Sequence, residues 1–307
     1  METCHNQLWG LVMAGGDGKR LSEYVASRLP LARPKQFCVF SGTRSMLSHT
    51  LGRIESFIPR HRLVLALNEK HLVYASCEIE HLDRQNIVAQ PENKDTAPGL
   101  LYSLLHIFRR DANAVVAVFP ADHFIRPEEA LGRHIEAASA YIEHHPTDLV
   151  LIGVEPNFLE SDYGWIEPGC LLDVHRGIDL FSVRNFVEKP PLPKAVQLAR
   201  KRGFWNTMIM VGTAAMFLSK FRRLSPHLYS VLSLLSCGPT PDAATRKAYR
   251  EIPSLNFSVS ILERDVSDLV VLAARGMYWS DWGRGDRIDL DLALLEAEKR
   301  QARTLLS

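Results

Sequence analysis

The feature that most constrains the fold is a series of short, continuously apolar runs separated by longer amphipathic stretches. The runs cover residues 8–14, 63–67, 87–89, 114–119 and 149–154. Continuous rather than alternating apolarity is typical of strands that are covered on both faces, as in parallel sheets. The stretches between them, at about 45–57, 69–81, 96–109 and 127–144, predict helices. This alternation predicts an α/β fold with a doubly wound, mostly parallel sheet.

After about residue 156 turns become more frequent and the apolar runs become shorter. Here we predict helices at 192–202, 213–224, 227–235 and 242–251, strands at 257–262 and 269–273, and a terminal helix over 286–305. No long Gly/Ser linker separates the two halves. The sequence therefore predicts one domain over 1–285, with a smaller β-rich insertion, and a helical C-terminal tail over 286–307.

Charge and cysteine usage narrow the classes of function. The chain of 307 residues has 36 Lys and Arg against 35 Asp and Glu, a formal net charge of +1. No overall field therefore favours nucleic acid or an anionic membrane, and an anionic substrate needs a local basic site. The apolar run 8–14 is too short to span a bilayer. The five scattered cysteines, with no CxxC pair, are typical of reduced thiols, so we expect a cytoplasmic protein without a nucleic-acid or membrane partner.

A glycine-rich loop directly follows the first apolar run. Its sequence is Ala14-Gly15-Gly16-Asp17-Gly18-Lys19-Arg20. Successive backbone amides in such a loop can bind phosphate, and Lys19 and Arg20 add positive charge. The spacing matches neither a Walker loop nor GxGxxG, so a flexible turn is the alternative.

Polar residues follow several other apolar runs. Lys35 comes after a proline, and the polar stretch 90–99 leads into a predicted helix. Asp122 stands just beyond an apolar run, a common place for a ligand of a hard metal, with a helix N-cap as the alternative. Asp281 lies between tryptophans near the C-terminus. No HExxH, GxSxG or zinc-type Cys/His spacing is present.

Taken in order, these segments resemble the sugar-1-phosphate nucleotidyltransferases, and among them the mannose-1-phosphate guanylyltransferases. The matching elements are AGGDGKRL (14–21), PKQF (34–37), QPENKDTAPG (90–99), PADH (120–123), EPNFLESDYGWIEPG (155–169), FVEKP (186–190), WN (205–206) and WSDWG (279–283). The resemblance covers about residues 7–290. The resemblance implies a Rossmann-like fold with an inserted sugar-binding part. It also implies transfer of a nucleotidyl group from an NTP to a sugar 1-phosphate, with GTP and mannose 1-phosphate as the substrates.

The resemblance also implies roles for single residues. Nucleotide contacts are implied at Ala14, Gly15, Gly16, Gly18, Lys19, Arg20, Lys35, Gln90, Pro91, Thr96, Ala97 and Asp122. Sugar-phosphate contacts are implied at Gly164, Glu188, Lys189 and Asn206. The implied catalytic set is Arg20, Lys35, Asp122, Lys189 and Asp281, with Asp122 and Asp281 holding Mg²⁺. The partners are then small molecules, and the sequence leaves a homodimer open.

Three departures from the family pattern leave alternatives open. The segment 21–33 is longer than usual, Met208 stands where the family has glycine, and Arg284 follows the Asp-Trp-Gly element. Another pair of substrates, UTP or dTTP with glucose 1-phosphate, is one alternative. A regulatory protein that binds a nucleotide sugar without catalysis is the other, although the presence of both Asp122 and Asp281 favours an enzyme.

Overall fold

The computed structural model of the chain describes residues 8–29 and 33–305. Cys4, residues 30–32 of the lengthened segment, and the last two residues of the predicted tail lie outside the described residues. Within the described residues, no helix combines the length and the apolar character needed to cross a membrane.

The elements alternate as the apolar runs predict, and the later part of the chain adds longer strands. The strands are β1 (Leu8–Met13), β2 (Leu63–Asn68), β3 (Ile87–Gln90), β4 (Val115–Pro120), β5 (Phe124–Arg126), β6 (Leu149–Val154), β7 (Trp165–His175), β8 (Ile178–Val187), β9 (Phe204–Thr213), β10 (Leu269–Ala273) and β11 (Tyr278–Ser280). The helices are α1 (Ser22–Arg28), α2 (Met46–Ile54), α3 (Leu72–Ala75), α4 (Thr96–Arg110), α5 (Glu128–His144), α6 (Leu192–Arg200), α7 (Ala214–Leu224), α8 (Pro226–Leu232), α9 (Ala243–Glu251) and α10 (Gly285–Leu305).

Nine of the described strands form one sheet, in the order β3-β2-β1-β4-β9-β6-β10-β8-β7. Strands β3, β2, β1 and β4 are parallel to one another, and β10 is parallel to β6. The later strands β9, β8 and β7 join by antiparallel pairing, and β7 with β8 forms a long hairpin at the sheet edge. Strands β5 and β11 form a separate two-stranded sheet. The predicted α/β class and the smaller β-rich insertion are confirmed.

Burial of the sheet on both faces explains the continuous apolar runs. In β1, Leu8 and Val12 pack into one hydrophobic cluster, and Trp9 and Leu11 pack into another on the opposite face. A strand covered on both sides has no solvent-facing positions that would call for polar residues. The pattern in β1 is therefore the physical origin of the signal used to predict the sheet.

Two predicted elements differ from the structure. The predicted strand 257–262 is wrong, because Ser258–Leu262 forms a π-helical turn. Asn256 Oδ1 accepts the amide of Val259 at 3.1 Å, and the buried Phe257 and Ile261 are four residues apart, a helical spacing. The predicted helix 69–81 is broken into 3₁₀ turns on either side of the short α3.

The predicted tail is a helix that packs against the segment after the glycine-rich loop. Tyr24 of α1 donates to Asp289 Oδ1 of α10 at 2.7 Å, and Arg28 donates to Asp289 Oδ2 at 3.0 Å. Trp282 Nε1 donates to Asp291 Oδ2 at 2.7 Å. The lengthened segment thus forms a helix, over its described part, that is joined to α10.

Candidate active site

The sheet topology places two sequence-distant loops side by side. The chain passes from β1 to β2 and β3 on one side of β1, then returns to β4 on its other side. In the parallel pair of β1 and β4, Met13 is opposite Pro120. The loops that follow these two strands therefore leave the same edge of the sheet. Ligands of open α/β sheets bind at such points, beyond the carboxyl ends of the strands. The glycine-rich loop and Asp122 are the residues that meet there.

The glycine-rich loop, residues 14–20, is held through its carbonyl groups. Gln36 Nε2 donates to the carbonyl oxygens of Ala14 and Gly16, each at 2.8 Å, and Asn68 Nδ2 donates to that of Gly15 at 2.7 Å. Among the described residues, the amides of Gly15 and Gly16 have no hydrogen-bond acceptor. With the carbonyls engaged by the protein, these amides are available to an anion.

Two glycines are needed for close approach. Gly18 has φ +66°, and a Cβ there would lie 2.9 Å from the backbone nitrogen of Lys35. At Gly99, a Cβ would lie 2.5 Å from Gln90 Nε2. Only glycine allows the loop to rest on the 35–37 turn and lets the Gln90 amide lie against α4.

The one acid in the loop is surrounded by polar and basic groups. Lys70 Nζ lies 2.7 Å and His71 Nε2 lies 3.4 Å from Asp17 Oδ1, and Asn93 Nδ2 donates to Asp17 Oδ2 at 3.2 Å. Partial burial alone would raise the pKa of Asp17, but these partners hold it below its ordinary value. The negative charge of Asp17 is therefore compensated within the protein.

The small sheet of β5 and β11 brings the second acid to the first. Asp122 and His123 lead directly into β5, and Asp281 directly follows β11. Ser280 is opposite Phe124 in this antiparallel pair. Three residues of each strand are thus enough to place the C-terminal acid at the end of β4.

Lys35 connects the two acids. Its ammonium lies 2.8 Å from Asp122 Oδ2 and also donates to the backbone carbonyl of Asp281, while its side chain is 7% exposed. Burial alone would raise the pKa of Asp122, but the charge of Lys35, followed by other nearby cations, lowers it below its usual value. Asp122 is therefore ionised at neutral pH.

Asp281 is oriented by its own turn and by groups from two other segments. Its Oδ1 accepts from the Tyr163 hydroxyl at 2.9 Å and from the Gly283 amide at 2.8 Å. Arg287 of α10 lies 3.7 Å from the same oxygen, contacts the Tyr163 hydroxyl and pairs with Glu160. The carboxylate therefore has a fixed direction before any ligand binds.

His123 is uncharged at the site. Burial is the main cause that lowers its pKa to about 4, against the opposing charge of Asp122. Its Nδ1 accepts from Trp279 Nε1 at 3.1 Å. A neutral imidazole adds no charge beside Asp122.

A cavity of about 530 Å³ opens between the loop and the acids. The predicted residues that line it are Gly15, Gly16, Lys19, Arg20, Lys35, Gln90, Thr96, Asp122 and Asp281. The predicted residues outside its lining are Ala14, Gly18, Pro91, Ala97, Gly164, Glu188, Lys189 and Asn206. The structure thus brings most of the nucleotide and metal candidates into one space.

The four predicted sugar-phosphate residues form a neighbouring group. A Cβ on Gly164 would lie 2.7 Å from Glu188 Oε2, and the backbone amide of Asn206 donates to the Gly164 carbonyl at 2.8 Å. The backbone amide of Lys189 donates to the Tyr163 carbonyl at 3.2 Å, and its side chain is exposed. Burial raises the pKa of Glu188, with Lys189 opposing the shift.

A larger cavity of about 670 Å³ lies on the far side of His123 and Trp282. It is lined by Arg53 and Glu128 but by neither acid of the site and by no residue of the glycine-rich loop. Size alone does not identify the reaction centre, since the smaller cavity holds the convergent charged groups.

The two acids fit a hard divalent cation. Asp122 Oδ1 and Asp281 Oδ2 have no hydrogen-bond donor among the described residues. Asp122 Oδ1 lies 3.8 Å from His123 Nε2, and Asp281 Oδ2 lies 3.9 Å from the Arg20 guanidinium. No group of three or more His, Cys, Asp or Glu side chains in the described part of the chain could hold a metal. A cation at this position would need further oxygen ligands from the substrates, and Mg²⁺ is commonly bound by one or two carboxylates together with substrate phosphates.

Sequence reasoning missed several residues of this arrangement. Gln36 stands in the PKQF element, and Tyr163 stands in the element at 155–169. Both elements resemble the family, but the resemblance implied roles only for neighbouring residues. Arg287 lies in a helix whose composition gives no sign of a site. Its position depends on how α10 packs.

Comparison with known proteins agrees with this geometry. The chain matches the nucleotidyl transferase family model over residues 9–292. The chain belongs to the nucleotidyl transferase family. This confirms the resemblance to the nucleotidyltransferases that the sequence shows.

Curated relatives of the chain are a little over a quarter identical to it over the aligned residues. A mannose-1-phosphate guanylyltransferase of Salmonella typhimurium, RfbM, is 28% identical over 285 residues, which are 89% of this chain and 56% of that protein. A mannose-1-phosphate guanylyltransferase of Escherichia coli K12 is 28% identical over 290 residues, 91% of this chain and 58% of that protein. The chain therefore spans little more than half the length of these nucleotidyl transferases.

Solved structures show the same fold. A protein from Thermus thermophilus, described as mannose-1-phosphate geranyltransferase, superposes with a TM-score of 0.75 at 26% identity, covering 90% of this chain and 76% of that one. A protein from Bacillus anthracis, described as a glucose-1-phosphate thymidylyltransferase, superposes with a TM-score of 0.60 at 14% identity, covering 94% of each chain. The second likeness concerns the nucleotidyl transferase fold alone.

Proposed function

We propose that the chain transfers a nucleotidyl group from an NTP to a sugar 1-phosphate, giving an NDP-sugar and pyrophosphate. The observation that carries the proposal is that Lys35 contacts both the Asp122 carboxylate and the Asp281 backbone carbonyl, at a cavity that the glycine-rich loop lines. The relatives of the chain named mannose-1-phosphate guanylyltransferase support GTP and mannose 1-phosphate as the substrates.

The reaction needs no activated side-chain nucleophile. A phosphate oxygen of the sugar 1-phosphate attacks the α-phosphorus of the NTP in line, forming the new O–P bond. The bond from the α-phosphorus to the oxygen bridging to the β-phosphorus breaks, and pyrophosphate leaves with that oxygen. The nucleophile is already an anion, which is consistent with a site that holds cations and fixed acids but no triad.

The problem for the protein is electrostatic, because two polyanions must come together. Free amides of Gly15 and Gly16 and the side chains of Lys19 and Arg20 line the cavity where phosphates would lie. In our proposal Asp122 and Asp281 would hold Mg²⁺, and the ion would neutralise part of the phosphate charge. Lys35 keeps the two acids in position.

Positioning of the two substrates divides between the two groups of residues. Gln90 and Thr96 line the part of the cavity assigned to the base. In the proposal Gly164, Glu188 and Asn206 hold the sugar, and Lys189 its phosphate. Holding both reactants in line can supply several kcal/mol of the barrier reduction, about 7 in well-oriented cases.

A substrate panel tests the proposal. The purified chain is mixed with Mg²⁺ and each of GTP, ATP, UTP and dTTP, against mannose 1-phosphate and glucose 1-phosphate, and pyrophosphate release is followed. We expect the highest kcat/KM for GTP with mannose 1-phosphate. Highest activity with UTP or dTTP and glucose 1-phosphate would move the proposal to that pair. Thermal stabilisation by nucleotides without pyrophosphate from any pair would favour a regulatory binding protein instead.

A further inference from the structure

Met208 has a backbone conformation that disfavours a side chain. Its φ is +58°, in the left-handed region that glycine adopts readily and in which other residues are strained. Such strain persists only where the surroundings impose it, and it often marks a functional position.

A bulge in β9 imposes this conformation. Met210 is opposite Leu151 and Asn206 is opposite Gly153, so three residues of β9 face one residue of β6. The buried Thr207 hydroxyl donates to the Ile152 carbonyl at 2.7 Å and accepts the amide of Ile209 at 3.2 Å. Bulges redirect side chains near functional sites, and this one directs Met208 into the cavity wall.

The thioether of Met208 engages two polar groups. Asn206 Nδ2 lies 3.3 Å and Ser258 Oγ lies 3.2 Å from Met208 Sδ. The other end of the Asn206 amide, Oδ1, accepts the backbone amide of Met208 at 3.1 Å. Both polar side chains are thus turned towards sulfur, which is a weak acceptor.

Met208 also stands at the border between the two parts of the site. It lines the cavity together with Arg20 and Asp122, whereas Asn206 and Glu188 do not. A sugar that approaches the Asn206 amide from this cavity meets the thioether. The surface presented at that point is apolar, although polar groups lie behind it.

We propose that Met208 determines sugar specificity, by selecting a deoxyhexose 1-phosphate that carries hydrogen where the parent hexose has a hydroxyl facing the thioether. This inference rests on the proposed function. A hydroxyl buried against Met208 exchanges its hydrogen bonds with water for a weak contact with sulfur, whereas a C–H group packs on the thioether without that loss. One group of this size in a binding pocket changes the ratio of kcat/KM between two competing substrates by about tenfold or more.

The test compares hexose with deoxyhexose substrates in matched variants. Mannose 1-phosphate and the four analogues in which one hydroxyl is replaced by hydrogen are assayed with GTP for pyrophosphate release by the wild type, M208G and M208L. We expect one analogue to exceed mannose 1-phosphate in kcat/KM by about tenfold in the wild type. M208G should reverse this order, because it exposes the Asn206 amide and the Ser258 hydroxyl. M208L should keep it, because it retains the apolar bulk.

Controls separate the outcomes. M216L alters a buried methionine of α7 outside the cavity lining and should leave the ratio unchanged. M208G should fold because glycine relieves the left-handed backbone, and M208A provides a second variant that removes the sulfur. A ratio of hexose to deoxyhexose activity that is the same in the wild type, M208G and M208A would overturn the inference alone. No pyrophosphate from any pair, in every variant, would overturn the proposed function and this inference with it.

Discussion

At the scale of single residues, the glycine-rich loop is shaped by its neighbours. Gly18 combines a positive φ with a backbone contact to Lys35 that leaves no room for a Cβ. Gly16, two residues earlier, has open space where a Cβ would stand. The two glycines therefore differ in what a side chain would cost.

This difference predicts unequal effects of the same substitution. We expect Gly18→Ala to lower the free energy of unfolding by about 1–3 kcal/mol, because it adds left-handed strain and a clash. Gly16→Ala, the matched control, should change it by less than about 0.5 kcal/mol. Urea unfolding of both variants provides the comparison, and equal losses would contradict this account of the loop.

Gln36 is the side chain on which the loop depends most. Removing its amide in Gln36→Ala leaves the carbonyls of Ala14 and Gly16 without their donor, at a cost of about 1–3 kcal/mol. The loop amides then lose their fixed direction, so the KM for the NTP should rise more than the KM for the sugar phosphate. Steady-state kinetics with each substrate varied in turn measures this. The exposed Gln197→Ala is the control, and equal rises in both KM values would count against the role.

At the residue scale, most of the nucleotide and metal candidates that the sequence names line the cavity, and their roles remain predictions; the sequence does not name the partners of these residues. The sequence predicts Asp122 and Lys35 as site residues, and both line the cavity. Their ion pair, and the strained backbone of Met208, depend on tertiary contacts that no local pattern encodes.

At the scale of elements, α10 supports the site from outside the sheet. Its Arg287 side chain stacks on Tyr163 with 4.7 Å from the guanidinium carbon to the ring centroid, and pairs with Glu160. Tyr163 in turn donates to Asp281. The helix is thereby connected to the carboxylate that follows β11.

Arg287 is expected to act as a positioning residue. Arg287→Lys keeps a charge for Glu160 but cannot reach Tyr163 and Asp281 in the same way. We expect kcat to fall by about tenfold or more with little change in either KM, because the direction of Asp281 is relaxed. The control Arg284→Lys, whose exposed side chain pairs with Asp286, should leave kcat unchanged. A lower melting temperature with normal kcat would reduce Arg287 to a structural role.

Element prediction worked where burial leaves a long pattern and failed where it does not. The parallel strands are buried on both faces, so their apolar runs are visible in sequence. The three-residue strands β5 and β11 are too short for any period to show, yet they join the two acids. The segment 257–262 has an apolar content that suits a strand, but residues Ser258–Leu262 form a π-helical turn.

At the scale of the whole molecule, a nearly neutral protein is proposed to bind two polyanions. The formal net charge is +1, so attraction cannot come from an overall field. The topology gathers Lys19, Arg20 and Lys35 around one cavity at the point where the strand order reverses, and four acids line the same cavity: Asp17, Asp95, Asp122 and Asp281. The fold thus brings charges of both signs together, and in the proposed reaction a cation held by the acids would supply the positive charge that the three basic side chains do not provide alone.

Pyrophosphate release by the single variants Asp122→Asn and Asp281→Asn tests the central claim most directly. Asparagine preserves the shape of each side chain and an acceptor for Lys35 or Tyr163, so both variants should keep the circular dichroism spectrum and the cooperative thermal transition of the wild type. If the two acids together hold a cation for the phosphates, each variant should lose about 10²- to 10³-fold in kcat. Near-normal turnover in either folded variant would contradict the account.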